Sequence, residues 1–139
     1  MKHGSVFFLL IFFFAGCDYS YQRKIGEDYY LRAVNSPVTM DIGFGTSEVS
    51  EVLVKQTVFE IHWNDEFILA KRHPSEGLNY ESIKRHDIEF YIIKKVKYGE
   101  EKASQNIEGP MSKEKFEKRK VELGLREEKM KSITFDNLK

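Results

Sequence analysis

A lone cysteine at position 17, directly behind an unbroken apolar run, constrains this chain more than any other feature. With one Cys in 139 residues, no intrachain disulfide can form, so whatever folds is held by its core alone. The run Val6-Phe-Phe-Leu-Leu-Ile-Phe-Phe-Phe14 shows neither strand alternation nor a helical stripe. It lies behind Lys2 and ahead of Ala15-Gly16-Cys17. That is the order of an export signal: positive start, apolar middle, small-residue cleavage zone. A helix of this length reaches about 14 Å, under half of a ~30 Å hydrocarbon layer. A permanent membrane span is the poorer reading.

Phe14-Ala15-Gly16-Cys17 resembles the lipobox of bacterial lipoprotein precursors, with Phe14 standing where that family prefers Leu. The resemblance implies cleavage between Gly16 and Cys17, lipid on the Cys17 sulfur, and a membrane-held domain facing outside the cytoplasm. The residue chemistry is suitable. Small side chains admit the backbone to a narrow protease groove, and a thiolate is a good nucleophile for thioether formation. At ~0.8 kcal/mol per buried methylene, two or more acyl chains anchor far better than one. The expected organisation is a cleaved signal at 1–16, a lipid-anchored tether at 17–27 and a single domain at 28–139.

Removing sixteen residues from 139 leaves 123, with 21 Lys+Arg against 22 Asp+Glu. That balance lacks the basic field that displaces phosphate counterions, so a nucleic-acid partner is not expected. A polybasic membrane patch is not expected either.

Alternation defines most of the expected elements. Residues 28–34 and 38–44 read as strands separated by the Asn35-Ser-Pro37 turn. Residues 52–63 give the strongest strand pattern, with Leu53, Thr57, Phe59, Ile61 and Trp63 on one face and Val58, Glu60 and His62 on the other. Asn64-Asp65 offers a turn into a returning strand at 66–72. A two-residue turn pairs His62 with Phe67, and a three-residue turn pairs Trp63 with Phe67. One residue of slip exchanges the faces, so both registers stay open. Phe90-Tyr-Ile-Ile93 is apolar on both faces, which places residues 88–96 centrally in a sheet. Residues 97–110 read as a loop, and Lys94-Lys-Val-Lys97 as an exposed strand end. Ser112 is an N-cap, Met111 and Phe116 form a hydrophobic staple, and Gly124 is a C-cap, bracketing one helix. The fold class expected is α+β: an antiparallel sheet of about four to six strands with one C-terminal helix packed on it.

The hairpin Ile61-His-Trp-Asn-Asp-Glu-Phe-Ile68, the strand Phe90-Tyr-Ile-Ile93, and the run Ile107-Glu-Gly-Pro-Met-Ser112 with Phe116 and Leu123-Gly124 resemble a family of small bacterial lipoproteins of unknown function. The resemblance implies no chemistry.

Little else carries chemistry. His62, His73 and His86 fit no HExxH or H-x-H pattern. Glu60 and His62 share a strand face and, with Asp65, form a candidate weak polar site for a metal or for acid–base work. A solvated strand face beside a polar turn is the preferred reading of the same residues. Gly43-Phe-Gly45 lacks the Lys of a P-loop and the third Gly of a dinucleotide fingerprint. Tyr19, Tyr21, Tyr29, Tyr30, Trp63, Tyr80 and Tyr91 can line a ligand surface or serve as core, and Tyr19 and Tyr21 lie near enough to the anchor for the headgroup layer. Three readings of function follow: a non-catalytic envelope-accessory module with a protein partner, a small-ligand or cell-wall-fragment binder, and a metal-assisted hydrolase using Glu60 and His62. The first is preferred, with no metal and no cofactor expected.

Overall fold

The computed structural model describes residues 19–46 and 50–139. Gly16 and Cys17, the expected cleavage and lipidation residues, lie outside the described residues. Nine strands form two antiparallel sheets among the described residues. β1 (Ser20–Lys24), β2 (Tyr29–Val34), β3 (Asp41–Gly45) and β4 (Ser50–Val54) make a meander in that order. β5 (Val58–Trp63), β6 (Phe67–Arg72), β7 (Glu89–Lys94), β8 (Ile107–Met111) and β9 (Lys131–Thr134) form the second sheet, ordered β8-β7-β6-β5-β9. The helix α1 (Lys113–Glu122) follows β8. The α+β class is as expected, with two sheets where one was anticipated.

Side-chain alternation in the second sheet explains the layering. Ile61, Trp63, Ile68, Ala70, Tyr91 and Ile93 join Leu31, Ala33 and Ile42 of the first sheet in one core. The intervening residues Phe67, Leu69, Phe90 and Ile92 join Met111 and Phe116 in a second core beneath α1. The second sheet is therefore covered on both faces, which is why Phe90-Tyr-Ile-Ile93 is continuously apolar. Phe116 is fully buried against Phe90, with ring centroids 5.0 Å apart. Ser112 caps α1 by accepting from the Lys115 N–H at 3.3 Å, and Gly124 ends it at φ +66°.

Five expectations need correction. The run 52–63 is two strands in two different sheets. The chain turns between them at Thr57, whose φ of +57° is rare for a β-branched residue. Buried Thr57 holds this corner by donating its hydroxyl to the His73 carbonyl while its own carbonyl accepts from the His73 N–H. Residues 20–24, assigned to the tether, form an edge strand, and Tyr21 packs edge-on against Phe135. Residues 107–110, assigned to a loop, belong to β8. As an edge strand β8 tolerates Pro110, whose missing N–H needs no second neighbour. Lys95 is no exposed strand end, because its Nζ donates to the carbonyls of Ile25 (2.7 Å) and Asn64 (2.6 Å). Finally, the hairpin adopts neither weighed register. Asn64 Oδ1 accepts from the N–H groups of Glu66 and Phe67, the two-residue turn is Asp65-Glu66, and His62 pairs with Leu69.

Candidate functional site

The register decides where the polar residues of β5 point. Because His62 is opposite Leu69 and Glu60 opposite Lys71, all four project to the α1 side of the second sheet. Ten residues of helix span about 15 Å. α1 sits over β7 and leaves the β5 side of this face to the 3₁₀ turn Glu127–Lys129. That turn brings Glu127 over the strand. Glu60, His62 and Glu127 thereby place one ligand-type atom each within 4.8 Å of one another.

Charge compensation is nearly complete there. His62 Nε2 is 3.1 Å from Glu60 Oε1 and 3.9 Å from Glu127 Oε2. A carboxylate only accepts, so Nε2 carries the proton in the contact with Glu60. Lys71 Nζ donates to the same Glu60 oxygen. Lys120, buried on the helix flank, bonds Glu127 Oε1 at 2.8 Å and Glu117 at 2.9 Å. Burial alone would raise the Glu60 carboxyl, but hydrogen bonds from Lys71 and His62 outweigh it and hold the group below its ordinary value. Glu127 is likewise held down by Lys120 and Lys71 against the opposing effect of burial. Burial opposes the charge on Lys120, yet its two glutamate partners hold its pKa above the ordinary lysine value. His62 Nδ1 is buried without a hydrogen-bond partner.

Of the three residues expected to form a polar site, Glu60 and His62 are brought together and Asp65 is not. Asp65 lies in the turn beyond the end of β5 and instead faces Lys95 electrostatically. Glu127 was missed. It lies 67 positions beyond Glu60 in a charged segment, and no local pattern distinguishes it from its neighbours.

A second feature lies at the opposite end of the first sheet. Phe44 and Tyr98, with ring centroids 5.6 Å apart, line an open cleft of ≈ 470 Å³ rimmed by Glu51, Glu100, Glu101 and Lys102. The aromatic residues expected to line a ligand surface are mostly placed elsewhere. Tyr29 is buried, and its hydroxyl oxygen accepts from the Val96 N–H at 2.9 Å. Tyr91 and Trp63 are core residues.

A family described as protein of unknown function, DUF3997, matches residues 26–135. The chain belongs to the DUF3997 family. No curated protein and no solved structure matches it. The DUF3997 match takes in β2 through β9 and the whole ion cluster, and it begins after β1. No described helix is long and apolar enough to cross a membrane.

Proposed function

We propose that this DUF3997 protein is a lipid-anchored extracytoplasmic module that binds an envelope partner without catalysing a reaction. Charge neutralisation within the cluster of Glu60, His62 and Glu127 carries the non-catalytic part of this reading. A general base needs a free lone pair facing substrate, yet Glu60 is already bonded by Lys71 and His62, and Glu127 by Lys120. A divalent ion at Glu60, His62 and Glu127 would have to displace two ammonium groups. The network reads instead as a glue joining the 3₁₀ turn to β5. The anchor rests on Cys17 and the export-type residues before it.

Mass spectrometry of the protein isolated from its membranes tests the anchor. The expected product begins at Cys17 and carries acyl chains. An intact Met1 with an unmodified Cys17 thiol would overturn it. For the non-catalytic reading, Zn²⁺ or Mn²⁺ titration is expected to leave the melting temperature unchanged, and a saturable rise lost in His62→Gln would restore the metal-assisted hydrolase.

The Phe44–Tyr98 cleft favours one alternative, a small-ligand or cell-wall-fragment binder. Its volume lies within the range of small-molecule sites, and two aromatic faces suit a sugar ring or an acyl chain. Titration with muropeptides, followed by Tyr98→Ala, separates this reading from the first. Micromolar binding lost in the variant would favour the ligand binder.

A further inference from the structure

We infer that the end of the sandwich carrying the start of β1 lies flat on the bilayer surface, with Val34, Leu78, Tyr80 and Ile88 seated in the interface. This rests on the proposed lipid at Cys17. Only Asp18 and Tyr19 separate Cys17 from the first strand residue, Ser20. Three Cα steps of ~3.8 Å give the connection a reach of about 11 Å at full extension. The headgroup layer beside the hydrocarbon is itself roughly 5–8 Å deep, so the anchored end has almost no room to stand away.

Strand pairing shows which groups share that end. Ser20 pairs with Val34, Arg32 with Asp41, and Ile42 with Val54. The Met40 carbonyl accepts from Val58 N, and Val58 pairs with Arg72, which pairs with Glu89. The start of β1, the end of β2 and the connection from β6 to β7 therefore all lie together. Gln56 Nε2 fastens that connection by donating to the Gly77 carbonyl at 3.1 Å, and Arg85 donates to the carbonyl of Asn137 at 3.1 Å. Tyr19 and Tyr80 lie near one another, and Asn137 bonds the Tyr80 hydroxyl at 3.2 Å.

Exposed apolar groups concentrate at this end. Among the described residues, seven large apolar side chains are classed as exposed, and four of them are here: Val34 (60%), Leu78 (65%), Tyr80 (43%) and Ile88 (44%). The others are scattered, with Val52 on β4, Val121 on α1 and Tyr98 at the far end. Apolar and tyrosine side chains are the ones that partition into the boundary between headgroups and acyl chains. Charges at this end are mixed: Lys55, Lys84, Arg85 and Lys139 stand against Glu76, Glu81, Asp87 and Asp136. The contact therefore does not depend on anionic lipid.

The lone cysteine makes the test clean, because a lipidated Cys17 leaves no free thiol. The full mature lipoprotein carrying Leu78→Cys, Tyr80→Cys, Ile88→Cys or Val34→Cys is labelled with an environment-sensitive fluorophore. Tyr98→Cys and Val121→Cys serve as references. All six are reconstituted into phosphatidylcholine vesicles containing a lipid-borne quencher. Quenching at the four anchored-end positions is expected to exceed that at the two references by roughly threefold or more, as suits side chains seated about 5–10 Å into the boundary. Equal quenching at all six, with mass spectrometry showing lipid on Cys17, would overturn the flat orientation and leave the anchor standing. A preparation lacking lipid on Cys17 would overturn both. Thiol cross-links between copies through position 78, or shielding seen in native membranes and absent from protein-free vesicles, would assign this surface to a second copy or to a protein partner instead.

Discussion

The two faces of the second sheet solve the same burial problem differently. Toward the first sheet, Ile61, Ile68, Ala70 and Ile93 form a fully buried apolar centre, with the Arg72–Glu89 ion pair at one end of that face. Toward α1, Phe67, Leu69, Phe90 and Ile92 are covered by Phe116, whereas Glu60, His62 and Lys71 on the same face are covered by Glu127. The first kind of face asks only for volume and shape. The second asks for partners, because each buried charge left alone costs several kcal/mol after relaxation. A ten-residue helix is too short to roof the whole sheet, and the ion network closes what it leaves open.

The comparison can be broken most severely at Ile61. Ile61→Asp places an unpaired charge in the apolar face, at a cost above about 5 kcal/mol, comparable to the stability of a whole domain. Circular dichroism is expected to show no cooperative melt, and a folded variant would mean that this face admits water. Phe116→Ala removes the side chain that joins helix to sheet, with an expected loss of about 3–5 kcal/mol by denaturant titration. Less than 1 kcal/mol would show that α1 is held by something other than that ring.

Glu60→Gln probes the polar portion. It leaves Lys71 without its counter-charge, and an intermediate loss of about 1–3 kcal/mol is expected near neutral pH. The carboxyl is held below its ordinary value of 4.5 in the fold. Its contribution is therefore complete above that value and fades as pH falls through the lower folded pKa. Melting curves of wild type and variant should converge in acid, and a gap that widens in acid would reverse the assignment. The smallest effect is expected where Glu60 is replaced together with both of its partners. Glu60→Leu with Lys71→Met and His62→Leu should stay within about 1 kcal/mol of wild type, since apolar side chains of similar volume often substitute for a buried ionic group without loss. A much larger loss would show that the group does more than fill the face.

Much of the fold was readable locally. Ser112, Phe116 and Gly124 marked the helix because capping is decided within one turn. The apolar run of β7 revealed a strand covered on both faces. The break at Lys55-Gln56-Thr57 left no such sign. Thr57 holds its unusual backbone conformation through bonds to His73, sixteen positions away. The hairpin register escaped for a similar reason: Asn64 turned out to brace the turn with its side chain rather than occupy its centre.

Half of the candidate site was legible, since Glu60 and His62 share a face by strand period alone. Glu127, Lys120 and the exclusion of Asp65 were not.

By itself the sequence determined that the chain is rich in alternating strands, that one capped helix lies near its C-terminus, and that no disulfide supports them. These depend on neighbours within a few positions, where backbone sterics and alternation act directly. Only the tertiary structure decided that there are two sheets, which face of β5 meets solvent or helix, and which acid answers Lys120. Those depend on groups far apart in the chain, which meet only once packing has fixed the distance between them.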